Sequence, residues 1–229
     1  MKLSIIIPTL NEEAEIGKLL VYLQQHTSIG TEIIVADGQS TDATRRIAEE
    51  MGARVLLNGF KGRAPQMNAG AMAASGDVLY FLHADTYPPA GFEAQIRKAV
   101  EEGFGSGCFR LKFDVPHWFL RINAWFTRFD VNAVRFGDQS LFVLRDIFHE
   151  SEGFDERLLL LEDQEIIERL RRIKPFIVLP HRVTTSARKY KVHGIYRLQV
   201  GYYLIYTLYK LGVPQEQLML VYKRLLRKG

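Results

Sequence analysis

A single cysteine, Cys108, in a chain of 229 residues excludes an internal disulfide and a cysteine-rich zinc site. It also leaves an oxidising compartment without support, so the cytoplasm is the expected location. Long apolar runs are missing as well. The first, inside residues 1–8, is too short for a signal peptide and reads as a strand. The tyrosine-rich stretch from Ile195 is interrupted by Gly201 and Lys210, and is too short and polar for a membrane span. The first strand is not followed by G-x-G-x-x-G, and no Walker A sequence occurs, which argues against a dinucleotide or P-loop enzyme. Internal repeats and low-complexity linkers are absent. The net charge of +4 suits an anionic ligand or membrane surface and is too weak to argue for a nucleic-acid partner.

What is present is ordinary globular material, 47% hydrophobic and 24% charged, arranged as alternating strands and helices. Residues 3–7 read as a buried strand stopped by Pro8. Asn11 suits a helix N-cap, with Glu12, Glu13 and Glu15 in the first turn and Ile16, Leu19, Leu20 and Leu23 on one face. A second strand over 32–36 runs into Asp37, and Asp42 is placed to cap a helix over 43–51. Residues 54–57 form a third strand, 66–74 a helix, and 78–82 an unbroken apolar strand ending in His83 and Asp85. This spacing predicts a parallel, right-handed βαβ sheet.

Two acids, Asp37 and Asp85, therefore stand at the carboxyl ends of two parallel strands, where open α/β sheets collect ligands. A nucleotide site needs an acceptor for a base or ribose edge and a metal ligand between phosphates. Hard divalent ions take carboxylate oxygens and keep several waters. Lys61, Arg63 and Gln66 lie in a segment able to reach phosphates or sugar hydroxyls. Each feature alone also has a plain reading: a turn cap for Asp85, a satisfied boundary histidine for His83, a solvated loop for 61–65.

At this point a family resemblance is carried by four stretches. Residues 4–12 (SIIIPTLNE), 35–44 (VADGQSTDAT), 76–85 (GDVLYFLHAD) and 153–156 (GFDE) followed by Glu162-Asp163 resemble family 2 glycosyltransferases of the GT-A fold. The segment Gly62 to Asn68 and Gly137-Asp138-Gln139 resemble a small bacterial branch without a defined substrate. The resemblance implies an α/β, GT-A-like, Rossmann-type nucleotide-binding domain with a mixed, mainly parallel central sheet over 1–190, its nucleotide half at 1–90 and acceptor half at 91–190. A helical C-terminal extension follows at 191–229. By the same resemblance Pro8, Thr9, Leu10 and Glu12 line the nucleotide together with Lys61, Arg63, Gln66, His83 and Ala84, and Asp37 holds the base or ribose. Asp85 matches the second acid of the D-x-D motif and would bind Mg²⁺ or Mn²⁺. Asp163 matches the catalytic base, with Asp138 as the alternative. Position 83 carries His where the family usually has Asp, so His83 either joins the metal or bonds to a phosphate or ribose. The Q-x-x-R-W signature of processive members is absent.

The acceptor side is read from composition. Trp118, Ile122, Trp125, Phe126 and Phe129 recur at helical spacing, a pattern found more often in cores than on binding surfaces. Asp138, Gln139 and Glu162 are expected near the diphosphate or acceptor, although Glu162 also suits a first-turn cap. Arg188 and Lys189, with Lys191, are expected in a basic loop over the leaving diphosphate. The expected function is inverting, metal-assisted hexosyl transfer from a nucleoside-diphosphate sugar to an acceptor hydroxyl. Two aromatic stretches suggest a lipid or other apolar acceptor met at the inner face of a membrane. The competing expectation is that both stripes pack on each other or across a homodimer. The alternatives to transfer are a sugar-phosphate nucleotidyltransferase, which lacks its glycine-rich loop here, and a noncatalytic nucleotide-sugar-binding or membrane module.

Overall fold

The computed structural model describes residues 1–57, 62–135 and 137–226; Lys61 lies outside them. β1 (Leu3–Thr9) is buried at every position but Pro8. α1 (Ile16–His26) buries Ile16, Leu19, Leu20 and Leu23. β2 (Glu32–Asp37), α2 (Thr44–Glu50), β3 (Arg54–Leu57), α3 (Arg63–Ala73) and β4 (Val78–Phe81) complete a βαβ series. β1 pairs in parallel with β2 and β4, and β2 with β3, as the spacing predicts. α3 can lie flush on β1 because position 70 is glycine: a Cβ there would collide with Ile6.

The chain continues through β5 (Thr86–Tyr87), α4 (Phe92–Glu101), β6 (Ser106–Phe113), α5 (Trp118–Phe126), β7 (Leu141–Leu144) and α6 (Arg145–Glu150). α7 (Glu162–Ile173), β8 (Phe176–Thr185), α8 (Arg188–His193), α9 (Ile195–Lys210) and α10 (Gln215–Leu226) follow. Among the described residues the sheet has eight strands in the order β3-β2-β1-β4-β7-β6-β8-β5. β7 runs antiparallel to β4 and β6, β5 antiparallel to β8, and β6 parallel to β8, so the sheet is mixed. Successive strand residues point to opposite faces. Ile5, Ile7 and Tyr80 accordingly join α1, α4 and α8 in one core, and Ile6, Leu79 and Phe81 join α3, α6 and α7 in the other.

Four expectations change. Asn11 is no helix N-cap: its φ is 54°, α1 begins only at Ile16, and Asn11 Oδ1 accepts from Thr41 N at 2.9 Å. Asn11 thus laces the β1–α1 loop to the β2–α2 loop, where Glu12 N also donates to Thr44 Oγ1 at 2.8 Å. The strand expected at 177–179 spans Phe176–Thr185, with a register break after Phe109 of β6, opposite Pro180 and His181. The basic loop expected from 184 is the end of that strand followed by α8. The stripe Trp118, Ile122, Trp125, Phe126 and Phe129 is exposed, not core.

The expected boundary at 190/191 falls inside α8, and the extension is bonded to what precedes it. Tyr190 Oη donates to Gln199 Oε1 at 2.9 Å and Tyr203 Oη to Asn123 Oδ1 at 2.7 Å. Among the described residues no helix is long and apolar enough to cross a membrane.

Candidate active site

A cavity of about 730 Å³ opens at the carboxyl ends of β1, β2 and β4. Pro8, Thr9, Leu10 and Glu12 bound it from β1, Gly38 from β2, and His83, Ala84 and Asp85 from β4. Arg63 and Gln66 enter from the start of α3, Asp138 from the turn Gly137–Gln139, Glu162 and Asp163 from α7, and Lys189 from α8. The sequence-predicted residues thus converge, with exceptions that have physical reasons.

Asp37 is fully buried and off the cavity wall. Burial opposes its charge, but bonds from Ser40, Arg45 and Thr9 outweigh it and hold the carboxyl below the usual range. Ser40 Oγ and N donate at 2.5 and 2.9 Å, Arg45 Nε at 2.6 Å and Thr9 Oγ1 at 3.1 Å. In this arrangement Asp37 braces the strand ends. Gln66 does similar work from the cavity rim: its Nε2 donates to Thr9 O at 2.7 Å and Ala36 O at 2.8 Å. Gln139 is also buried away from the cavity, its Nε2 donating to Phe109 O at 3.0 Å and Thr127 O at 3.3 Å. It fixes the turn from behind, so that its neighbour Asp138 faces the cavity.

His83 and Asp138 form a pair, Nδ1 to Oδ1 at 3.1 Å. Burial disfavours the imidazolium, but the bond and charge of Asp138 prevail and raise the His83 pKa. For Asp138 burial is likewise overcome by His83, and its carboxyl is held down at about 2. Asp85 behaves oppositely: burial, then the negative charge of Asp138, raises it. In this geometry His83 Nδ1 is engaged by Asp138 rather than open to a metal. Two carboxylates that repel each other beside a cavity are instead hard oxygen donors, and they fit Mg²⁺ or Mn²⁺. Among the described residues no group of three or more His, Cys, Asp or Glu is assembled for a metal. Mg²⁺ commonly takes one or two carboxylates and completes its shell with phosphates and water.

Arg188 bridges two of the predicted acids. Its Nη2 lies 2.8 Å and 3.1 Å from the Glu12 carboxylate oxygens and 3.8 Å from Asp85. Lys189 faces the cavity, whereas Lys191 is exposed and outside it. Arg63 Nη1 stands 3.8 Å from Glu162 Oε1.

Glu162 and Asp163 open α7 directly after Leu161, whose φ of 69° is rare for a branched side chain. That conformation turns the chain so that both acids reach the cavity. Burial, then the Asp163 charge, pushes Glu162 up to about 7 against the pull of Arg63. Burial likewise raises Asp163. Burial thus raises the Asp163 carboxyl while His83 holds Asp138 down, which makes Asp163 the better proton acceptor of the two.

The opposite wall was not anticipated. Tyr202, Tyr203 and Tyr206 of α9 and Met219 and Tyr222 of α10 line the cavity, with Leu159–Leu161 beside them. The spacing of Tyr202, Tyr203 and Tyr206 on one helical face was a signal available in the sequence. Gln215 Oε1 accepts from the backbone N–H of Leu159 and Leu160, both at 3.1 Å, tying α10 to the segment before Asp163.

Residues 4–151 match the sequence model of Glycosyl transferase family 2. The chain belongs to this family. The 4,4'-diaponeurosporenoate glycosyltransferase of Staphylococcus haemolyticus is 40% identical over 90 residues, covering 36% of this chain and 24% of that enzyme. The dolichol-phosphate mannosyltransferase of Pyrococcus furiosus is 29% identical over 109 residues, covering 45% of this chain and 31% of that enzyme. The chain thus spans less than a third of the length of these two curated relatives. Among solved structures, the mannosyltransferase PcManGT of Pyrobaculum calidifontis, in complex with GDP-Man and Mn²⁺, superposes with a TM-score of 0.72 at 18% identity. That match covers 91% of this chain and 63% of PcManGT. TarS 1-349 of S. aureus, in complex with UDP, gives 0.67 at 19% identity, covering 90% and 66% of the respective chains. The fold of this glycosyltransferase-family protein is GT-A, with a helical C-terminal part.

Proposed function

We propose that this protein transfers a hexosyl group, with inversion, from a nucleoside-diphosphate sugar to the hydroxyl of an apolar, lipid-like acceptor, in the cytoplasm at the inner face of a membrane. The observation that carries the proposal is the cavity itself. It sets Asp85 at a strand end and Asp163, its carboxyl raised by burial, on the walls of one chamber that tyrosines also line. Names of relatives support both halves. PcManGT is described with GDP-Man and Mn²⁺, and the two curated relatives are named for diaponeurosporenoate and dolichol phosphate.

In this reading the residues from Pro8 to Glu12 and the backbone at Gly38 receive the nucleoside, and Arg63 and Lys189 face its phosphates. Asp85 and Asp138 would hold Mg²⁺ or Mn²⁺, which when bound supplies positive charge against the diphosphate. Asp163 takes the proton of the acceptor hydroxyl as the oxygen attacks the anomeric carbon. The bond from that carbon to the phosphate oxygen breaks, and the nucleoside diphosphate leaves with the electron pair. Arg63 and Lys189 are preorganised where that charge grows. The tyrosine wall with Leu159 to Leu161 offers apolar area with polar tips to the acceptor.

The test is a panel of nucleoside-diphosphate sugars with and without Mn²⁺, followed by release of free nucleoside diphosphate in the presence of short isoprenoid and other apolar alcohols. Metal-dependent turnover with one donor, lost in Asp163→Asn, is the expected result. If no donor binds under any of these conditions, the proposal is wrong.

A further inference from the structure

Trp118, Ile122, Trp125 and Phe129 are all exposed, Trp118 by 58% and Trp125 by 47%, and they lie on one side of α5 and its continuation. α9 adds Tyr196 and Val200, exposed by 52% and 61%. The two sets are continuous: the Tyr196 ring centroid lies 6.3 Å from that of Trp118, and Tyr203 of α9 bonds to Asn123 of α5. The result is a large apolar face, of the kind that soluble monomers rarely leave without a use.

Basic residues predominate along it; of the two exposed acids that flank the α5 stretch, Asp114 and Asp130, the second is paired with Arg135 and Arg171. Residues 115–129 and 186–210 contain no aspartate or glutamate, yet they carry Arg121, Arg128, Lys191 and Arg197. Arg121, Lys191 and Arg197 are exposed, and Arg128 stacks on the Trp125 ring at 4.3 Å. A protein partner that matched this face would need acidic groups around an apolar centre. An anionic lipid surface offers that chemistry everywhere, and Trp and Tyr favour its headgroup level. The face is also tied to the cavity, because α9 carries Tyr196 and Val200 outward and Tyr202, Tyr203 and Tyr206 into the chamber.

We infer that the α5–α9 face docks on an anionic lipid bilayer. The inference deepens the reading of an apolar acceptor, since a lipid leaving the bilayer would travel along α9 into the cavity. It rests, however, on exposure and charge outside that cavity, and it is tested separately. The chain has two tryptophans, Trp118 and Trp125, and both lie on this face. Intrinsic tryptophan fluorescence is thus a direct report from the docking surface.

The experiment combines co-sedimentation with tryptophan emission, using phosphatidylglycerol–phosphatidylcholine vesicles and pure phosphatidylcholine vesicles at low and high salt. Binding with a blue shift is expected on the anionic vesicles, weakened by salt and weaker on the neutral ones. Ile122→Ser/Phe129→Ser keeps both reporters and should lose most of the response. Arg121→Glu should weaken partitioning about tenfold. Both variants should keep donor affinity in vesicle-free buffer, because neither touches the cavity. Absence of salt-sensitive binding and of the blue shift in wild type overturns the inference. So does a wild-type dimer that Ile122→Ser/Phe129→Ser converts to monomer without vesicles, since a second copy would then own the face. Vesicle binding without binding of any donor sustains the docking surface and overturns the transferase reading alone. Donor turnover without vesicle binding does the reverse.

Discussion

Gly137 lies so close to Asp163 that a Cβ placed on it would overlap the Asp163 carboxylate oxygen, with the His83 ring 3.6 Å away. The glycine leaves space there, and the backbone of the 137–139 turn comes close to both Asp163 and His83. Gly137→Ala should therefore displace Asp163 without unfolding the protein. A displacement near 1 Å at a reacting group costs on the order of 10²-fold in kcat. The measurement is kcat beside a thermal melt; a variant with wild-type kcat would show that Asp163 need not stay where it is.

Asp163 and Asp138 are separated by their partners. His83 holds Asp138 ionised, down at about 2, whereas burial raises Asp163. Asp163→Asn should lower turnover on the order of 10²–10⁴-fold with donor affinity little changed. Asp138→Asn leaves His83 without its carboxylate and should act mainly on donor affinity in the presence of Mn²⁺. Steady-state kinetics with calorimetric donor titrations separates the two, and the opposite pattern would exchange their roles.

Asp85 gives a sharper test of the cation. Its charge is opposed by burial and by Asp138, so it should be relieved by a divalent ion shared with the donor. Calorimetric affinity for nucleoside diphosphates should rise with Mn²⁺ in wild type and respond little in Asp85→Ala. Equal metal response in both proteins would remove Asp85 from the site.

Glu162 makes stability depend on pH. Its carboxyl, normally near 4.5, is pushed up to about 7 in the folded protein, chiefly by burial and then by Asp163. Between those values the folded state binds more protons than the unfolded chain, so stability falls as pH rises. The contribution is complete below about 4.5 and lost above about 7. At about 1.4 kcal/mol per unit it is on the order of 3–4 kcal/mol. Melting temperatures of wild type and Glu162→Gln should therefore diverge as pH rises through this window, the variant gaining. Parallel curves would mean that Glu162 is ionised throughout.

Much of this arrangement was readable because it is local. An apolar run ending in an acid reports a strand and its carboxyl end, and Pro8, Thr9, Leu10, Glu12, His83 and Asp85 do line one cavity. Asp37 shows the limit. Its position at a strand end was right, but Ser40, Arg45 and Thr9 enclose it, and those contacts depend on how two loops interlace. β8 reads from the sequence as only 177–179, yet it runs on through Pro180 and His181, which sit where the register with β6 breaks, a place where strands tolerate proline. The tryptophan stripe shows a third kind of limit. Periodicity identifies a helical face, but not whether another element covers it.

Gln215 was not legible at all, since its partners are backbone groups 55 and 56 residues away. Its Oε1 accepts from Leu159 N and Leu160 N, just before the left-handed Leu161 and the acids of α7. Each bond is worth about 1 kcal/mol net. Leu159 is partly exposed, so water can replace some of that when the side chain is cut back. Gln215→Ala should then lower the melting temperature only slightly. Turnover should fall further, because the segment that aims Asp163 loses its anchor on α10. Gln215→Glu keeps the acceptor oxygen and should restore most of the rate. A merely structural residue would lose stability and activity in proportion, without that rescue. If Gln215→Ala turns over like wild type, the C-terminal helices shape the cavity wall but do not position the acid.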